Sequence, residues 1–180
     1  MHTNRPHRLK TFDYVGFHRY SLTFCTNFRT KVFVEADVVQ FVLSQFLRAA
    51  REESFSILAY CFMPDHVHFL VQGDSESSDG RRFIRLGKQY AGYAYSLKYR
   101  QKLWQPWGFE RVLRGDEAPV VVARYIVENP VRAGLVKSVE EYPFVGSQVC
   151  KLKELMGSLP TFRSALRLRS GGGDVLRRGE

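Results

Sequence analysis

Two histidines separated by a single residue are the side chains best suited to chemistry in this sequence. His66 and His68 lie in an otherwise apolar run, residues 60–71. Alternate side chains leave the same face of a β-strand, so a strand here would present both imidazoles together. Pro64 and Asp65 predict a turn just before this strand, which would place the pair where a ligand can reach it. The pair is a candidate for half of a metal site, although packed or solvated histidines also occur at this spacing.

The rest of the sequence does not complete a zinc site of a familiar type. The three cysteines, Cys25, Cys61 and Cys150, have no C-x-x-C neighbour, and no H-E-x-x-H motif is present. A third ligand for the histidine pair must therefore come from elsewhere in the chain.

Tyr125 and Asn129 form a second candidate pair. They are four residues apart in a predicted helix and would share one of its faces. The amide oxygen of Asn129 suits Mg²⁺ or Mn²⁺, and a phenol can act as a covalent nucleophile. If this helix packs over the histidine strand, the parts for metal-assisted phosphoryl transfer come together. The alternative from spacing alone is a core tyrosine and an asparagine that ends the helix before Pro130.

The composition favours a single basic domain. The chain has 180 residues, of which 44% are hydrophobic, enough to bury a core. No apolar run approaches about 18 residues, the start lacks a signal-peptide pattern, and the cysteines are scattered, so we expect a cytoplasmic protein without a membrane span.

The formal charge is +9 and the pI is near 9.7. This charge favours nucleic acid as a partner, and the alternative is an ordinary basic surface.

The hydrophobic periodicity predicts strands and helices in the order β-α-β-β-α-β, followed by a further helix. The predicted strands cover residues 18–28, 54–62, 66–72 and 109–114, the helices cover 35–53, 81–100 and about 116–129, and residues 104–109 form an aromatic turn. This order predicts an α+β fold of the ferredoxin-like (RRM-like) type, an antiparallel sheet with helices on one face. The helix with Tyr125 would lie near the other face.

We predict three segments: an N-terminal arm at residues 1–15, a domain at 16–160 and a basic, flexible tail at 161–180. The helix at residues 81–100 interleaves cations with four tyrosines, which suits stacking and phosphate contacts with single-stranded nucleic acid. The alternative is an amphipathic helix whose tyrosines pack with the hydroxyl outward.

Three motifs carry a resemblance to a known family. They are Met-Pro-Asp-His-Val-His at residues 63–68, Leu-Trp-Gln at 103–105 and Arg-Tyr-Ile-Val-Glu-Asn-Pro-Val-Arg-Ala-Gly-Leu at 124–135. In this order they resemble the single-tyrosine HUH (IS200-like) transposases, and within them the bacterial transposases associated with repetitive extragenic palindromes (REP). The resemblance covers about residues 16–147.

The resemblance implies an endonuclease and strand transferase that acts on single-stranded DNA at REP-like hairpins. It makes His66, His68 and Asn129 the ligands of Mg²⁺ or Mn²⁺ and Tyr125 the nucleophile that forms a 5′-phosphotyrosine. ATP is not needed, in agreement with the absence of a P-loop motif. The family also suggests DNA contacts from the second helix and the tail; the candidates are Arg81, Arg82, Arg85, Lys88, Tyr90, Arg163, Arg167 and Arg169.

Two other functions fit parts of the sequence. A ferredoxin-like sheet with basic helices can bind nucleic acid without any chemistry. An unrelated metallohydrolase would need an acidic ligand such as Asp65 or Asp116 beside the histidines. The sequence leaves open whether the protein is a monomer or a homodimer.

Overall fold

The computed structural model describes residues 12–113 and 118–157, and their longer elements follow the predicted order. The strands are β1 (Arg19–Thr26), β2 (Phe55–Met63), β3 (His66–Gly73), β4 (Trp104–Val112) and β5 (Val145–Gly146). The helices are α1 (Ala36–Glu52), α2 (Gly80–Tyr99), α3 (Pro119–Val127), α4 (Asn129–Arg132) and α5 (Leu152–Met156). None of the helices in this described part is both long and apolar enough to cross a membrane.

The five strands form one antiparallel sheet in the order β4-β1-β3-β2-β5. The strand with the histidines, β3, is therefore central and pairs with a neighbour on each side. His66 lies opposite Cys25 of β1, and His68 lies opposite Thr23 of β1 and Cys61 of β2. This register places both histidines at the end of the sheet where β3 begins.

The two faces of the sheet are covered by different helices. On one face, α1 and α2 pack over a core that includes Val67, Phe69 and Val71 of β3. The opposite face carries the histidines, and there α3 packs against β2 and Leu70. The predicted α+β, ferredoxin-like arrangement is confirmed, with α3 on the face that carries the histidines.

A glycine allows α1 and α2 to approach each other closely. Phe46 of α1 is fully buried. A Cβ atom on Gly87 of α2 would lie only 2.5 Å from Cδ1 of the Phe46 ring. A larger residue at position 87 would therefore force the Phe46 ring or the helices to shift.

The aromatic turn predicted at residues 104–109 is wrong, because these residues begin β4. This stretch contains Pro106, which cannot donate a backbone hydrogen bond. β4 is an edge strand, and its register against β1 shifts between the pairs Phe24 with Gly108 and Thr26 with Trp104. This irregularity accommodates Pro106, as bulges at sheet edges commonly do.

The folded domain begins earlier than the predicted boundary at residue 16. Tyr14 is buried, and its ring stacks parallel to that of Tyr20 at a centroid distance of 5.9 Å. Val15 also forms a bridge to Asp79, just before α2. Residues 1–11 of the predicted arm, and the predicted tail with Arg163, Arg167 and Arg169, lie outside the described residues.

The predicted last helix is divided into α3 and α4. It ends at Val127 rather than near residue 129, and Pro130 lies in the first turn of α4, where its missing N–H costs nothing. α3 is also anchored from outside the sheet: the guanidinium of Arg124 donates hydrogen bonds to the carbonyls of Leu155 and Met156 in α5, at 3.2 and 3.3 Å.

Candidate metal and nucleophile site

The two histidine rings lie side by side on the face that α3 covers. Their centroids are 4.7 Å apart and the ring planes are nearly perpendicular. In each ring, Nδ1 already has a partner: that of His66 contacts Asp65 and that of His68 contacts Thr23. The Nε2 atoms are the ones left for a ligand, and partners of this kind orient metal-binding histidines in proteins.

Asp65 fixes the orientation of His66. Its Oδ1 lies 2.7 Å from Nδ1 of His66, and its Oδ2 lies 2.9 Å from Nε of Arg29. Burial raises the pKa of Asp65, but the hydrogen bond with His66 and the charge of Arg29 outweigh it and hold the pKa below its usual value. An ionised carboxylate only accepts hydrogen bonds, so Nδ1 of His66 carries the proton and Nε2 has the free lone pair.

His68 is neutral at ordinary pH. The hydroxyl of Thr23 lies 2.8 Å from its Nδ1. Burial, followed by the electrostatic effects of His66, Arg132 and Arg29, lowers the pKa of His68 to about 4. A neutral imidazole is the form that binds a metal ion.

The turn before His66 is held by residues at and after the end of β1. Thr26 is fully buried, and its hydroxyl donates to the carbonyls of Asp65 at 2.9 Å and Thr30 at 2.7 Å. The backbone N–H of Phe33 donates to the carbonyl of Pro64 at 3.0 Å. These bonds fix the start of β3, and with it the position of His66.

Tyr125 lies on α3 and is 60% exposed. The guanidinium of Arg132 lies 3.8 Å from the centroid of its ring. The same guanidinium donates to the backbone carbonyl of Tyr125 and, over 3.0 Å, to Oδ1 of Asn129. The positive charge of Arg132 also contributes to lowering the pKa of His68. Arg132 therefore acts on both the α3–α4 junction and the histidine pair.

Asn129 is the first residue of α4, and its side chain is held firmly. Its amide nitrogen donates to the carbonyls of Ile126 at 2.9 Å and Tyr125 at 3.3 Å. The other terminal atom of the Asn129 side chain is therefore the oxygen, Oδ1, which accepts the hydrogen bond from Arg132. An amide oxygen has two lone pairs, so one of them is left for a further partner.

The donor atoms of His66, His68 and Asn129 are of types that a small divalent cation accepts. Two imidazole Nε2 atoms and one carboxamide oxygen are ligands that Mn²⁺ and Mg²⁺ accept, leaving positions for water and phosphate oxygens. Within residues 12–113 and 118–157, no group of three or more histidine, cysteine, aspartate or glutamate side chains is arranged to hold a metal. The carboxamide oxygen of Asn129, which such a group does not include, is the further donor that the sequence predicted.

The predicted DNA-binding residues of α2 have different surroundings. Arg82 pairs with Glu53 at 2.8 Å, and the hydroxyl of Tyr90 donates to Glu52 at 2.6 Å. Arg81 lies over the ring of Tyr14 at 4.3 Å, and Arg85 is exposed. Lys88 lies farther along the helix and donates to the carbonyl of Gln105 at 3.2 Å.

Sequence reasoning missed the positioning roles of three residues. Thr23 and Asp65 orient the imidazoles, and Arg132 contacts both Tyr125 and Asn129. A signal existed for Arg132, which lies three residues after Asn129 and seven after Tyr125 and so shares their helical face. The role of Thr23 depends on the register between β1 and β3, which the sequence does not disclose.

The fold and this face define a class of protein: a ferredoxin-like domain whose central strand carries a histidine pair and whose covering helix carries an exposed tyrosine. Residues 15–129 match the model of the family described as "Transposase IS200 like". The match spans more than half of the sequence, and the chain belongs to this family.

Two relatives and one solved structure narrow the comparison. A Haemophilus influenzae protein assigned to the REP-associated tyrosine transposases is 27% identical over 138 residues, which cover 69% of this chain and 77% of the relative. A REP-associated tyrosine transposase of Escherichia coli is 34% identical over 101 residues, covering 54% of this chain and 58% of the relative. The structure of a REP-associated tyrosine transposase bound to a REP hairpin aligns with a TM-score of 0.64 at 24% identity, covering 77% of this chain and 81% of that one. This last likeness supports the fold alone.

Proposed function

We propose that this protein is a metal-dependent endonuclease and strand transferase that cleaves and rejoins single-stranded DNA at REP-like hairpins through a 5′-phosphotyrosine. The observation that carries the proposal is the state of the histidine pair, in which both Nδ1 atoms are engaged and both rings lie on the side of the sheet covered by α3. This arrangement is suited to a metal that serves a nucleophile on α3.

The proposed metal is Mg²⁺ or Mn²⁺, held by Nε2 of His66, Nε2 of His68 and Oδ1 of Asn129. When bound, such an ion neutralises charge on the phosphate and favours attack at phosphorus. Asp65 and Thr23 keep the two imidazoles oriented. Their role explains why Asp65 is better placed as a partner of His66 than as a ligand of a metallohydrolase.

Tyr125 would supply the nucleophile. Its hydroxyl oxygen forms a bond to phosphorus and loses its proton, the bond from phosphorus to the 3′ oxygen breaks, and that oxygen leaves as a protonated 3′-hydroxyl. The 5′ phosphate remains linked to Tyr125. A later attack by a 3′-hydroxyl restores a phosphodiester and frees the phenol, so one ester replaces another without ATP.

The hairpin substrate comes from the relatives. A solved structure of similar fold is bound to a REP hairpin, and the two sequence relatives are assigned to the REP-associated transposases. A formal charge of +9 suits binding of DNA by this chain. Such a protein would act in the bacterial cytoplasm, as a monomer or a homodimer.

Covalent capture tests the proposal. Labelled hairpin oligonucleotides are incubated with the protein and Mn²⁺ or Mg²⁺, and adducts are detected on a denaturing gel. We expect an adduct with the parent protein and none with Tyr125→Phe, because the substitution removes only the attacking oxygen. Chelation of the metal should also abolish the adduct while DNA binding is retained.

Tyr99→Phe is the matched control, since Tyr99 is a half-buried tyrosine at the end of α2 and outside the proposed site. It should form the adduct normally. Persistence of the adduct in Tyr125→Phe would mean that a different tyrosine is the nucleophile. Salt-sensitive DNA binding without an adduct under any divalent metal would favour the non-catalytic nucleic-acid-binding module instead.

A further inference from the structure

A cleft lies between the second half of α2 and the start of β4, outside the histidine site. Its volume is about 650 Å³. We call it the α2–β4 cleft; its lining residues are Lys88, Gln89, Gly92, Tyr93, Ser96, Arg100, Gln101, Lys102, Leu103 and Trp104. No acidic residue is among them. A cleft of this composition is suited to an anionic ligand that also offers a flat ring.

Three cations supply the positive charge of the cleft. Lys88, Arg100 and Lys102 form no salt bridge with any carboxylate of residues 12–113 or 118–157. Burial lowers the pKa of Lys88, since its ammonium group is held next to a carbonyl and over the Phe24 ring instead of in free solvent. Phosphate groups would provide the counter-charge that the folded chain lacks here.

Aromatic groups supply a surface for a base. The ring of Tyr93 is 66% exposed at the side of the cleft. Trp104 is buried, and its indole N–H finds no acceptor in the described part of the chain. Gly92 packs closely over this indole, because a Cβ at this position would lie only 3.2 Å from Cδ1. An exposed aromatic ring beside cations is the usual platform for an unpaired base.

The cleft opens at the end of the sheet that carries the histidines. Trp104 pairs with Thr26, the residue after Cys25, which in turn pairs with His66. The loop after β1 joins the two regions, because the N–H of Asn27 donates to the carbonyl of Leu103 at 2.8 Å.

That loop also presents an unusual aromatic residue. Phe28 is 88% exposed. Its backbone, like that of Arg29, adopts a left-handed conformation with φ of 52° and 57°, which is unfavourable for residues with a Cβ. An exposed phenylalanine in a strained turn offers a second ring between the cleft and the histidines.

We propose that the α2–β4 cleft binds the single-stranded segment that flanks the hairpin, with phosphates against Lys88, Arg100 and Lys102 and a base stacked on Tyr93. The segment then passes Phe28 on its way to Tyr125. This inference rests on the proposed function for the identity of the ligand as DNA. It assigns single-strand binding to the second half of α2, beyond Arg81, Arg82, Arg85 and Tyr90.

The test measures equilibrium binding by fluorescence anisotropy in the Tyr125→Phe protein without metal, so that no chemistry intervenes. The probe is a fluorescein-labelled thymidine homopolymer, which cannot form a hairpin. Tyr93→Ala should weaken binding roughly fivefold or more, while Tyr93→Phe, which keeps the ring, should bind normally.

Lys102→Ala should weaken binding and make its salt dependence shallower by about 0.7 in the slope of log K against log salt. Lys102 is chosen over Arg100 because Arg100 has a positive φ at the end of α2, where a substitution would disturb the helix end.

Arg51→Ala is the matched control, since Arg51 is an exposed cation at the end of α1. It should leave binding of the homopolymer almost unchanged. The inference is overturned if Tyr93→Ala binds as tightly as the parent, if Arg51→Ala weakens binding as much, or if the cleft variants weaken binding of a blunt duplex equally. Adduct formation by proteins that retain Tyr125 is scored separately. If the cleft variants bind as the parent does and the adduct forms normally, the cleft inference fails and the proposed function stands. If no adduct forms but the binding results are as expected, the cleft inference stands and the proposed function fails.

Discussion

At the scale of single residues, Arg132 is the side chain that connects Tyr125, the proposed nucleophile, to its surroundings. It lies over the Tyr125 ring, donates to Oδ1 of Asn129 and pairs with Glu128 at 3.4 Å. A planar guanidinium can make all these contacts at once, whereas the point charge of a lysine cannot. We therefore regard Arg132 as a positioning residue for Tyr125 and Asn129.

Replacing Arg132 should slow adduct formation more than it weakens DNA binding. We expect Arg132→Ala to lower the rate of adduct formation by about tenfold, since the substitution removes a cation-π interaction and a charged hydrogen bond. Arg132→Lys should recover only part of this rate. The rate is measured with saturating DNA, so that weaker binding does not contribute.

Glu128→Gln provides the control, because it removes only an exposed ion pair, which contributes little. Its rate should equal that of the parent. Equal rates for the parent and Arg132→Ala would show that the contacts of Arg132 do not position Tyr125.

At the scale of elements, the sequence predicted those parts of the fold that have a clear hydrophobic period. β1, α1, β2, β3 and α2 lie within one or two residues of their predicted ends. The start of β4 and the break between α3 and α4 were not predicted, and these two segments contain Pro106 and Pro130. At a bulged edge and in a first helical turn, proline is accommodated.

The sequence predicted the candidate site only in part. The shared face of His66 and His68 follows from the period of two in a strand. The partners of their Nδ1 atoms depend on tertiary contacts, namely the pairing of Thr23 with His68 and the rotamer of Asp65. No local pattern contains that information.

The contact between α1 and α2 gives a stability prediction. Gly87→Ala should lower the free energy of unfolding by about 1–3 kcal/mol, because the new Cβ would press into the buried Phe46 ring. Helix propensity alone would act in the opposite direction, by about 1 kcal/mol. Urea denaturation followed by circular dichroism measures the difference.

Gln89→Ala, on the exposed side of the same helix, serves as the comparison and should change stability by less than about 0.5 kcal/mol. A Gly87→Ala protein more stable than the parent would mean that α1 and α2 pack less closely than described.

At the scale of the whole molecule, positive charge is the dominant property, with 27 lysines and arginines against 18 acidic residues. Part of this charge is neutralised within the fold, as in the pairs Arg82 with Glu53 and Arg48 with Glu52. The α2–β4 cleft and the predicted tail remain as separate candidates for DNA contact. Their contributions can be separated by salt dependence, since each phosphate that a cation neutralises adds to the slope.

Removing residues 161–180 tests the tail. This deletion takes away five arginines and two acidic residues and lowers the formal charge from +9 to +6. We expect weaker binding to a hairpin and a shallower slope of log K against log salt. The slope should change by about 0.7 to 0.9 for each phosphate that the shortened protein no longer neutralises. Binding is measured by titration at several salt concentrations.

A full-length protein in which the tail arginines are replaced by lysines keeps the charge and should keep the slope. If the deletion leaves both affinity and slope unchanged, the tail, including Arg163, Arg167 and Arg169, does not contact the DNA.

The central place of β3 has a consequence for how this architecture can change over time. A slip of one residue along β3 would turn both imidazoles toward the side where Val67 and Phe69 now pack, and it would break ladders with two neighbours at once. α3, by contrast, is attached to the sheet by apolar side chains, which tolerate sliding and repacking. Lineages of this fold should therefore diverge in how the tyrosine is delivered, while the histidine strand stays invariant in length and phase.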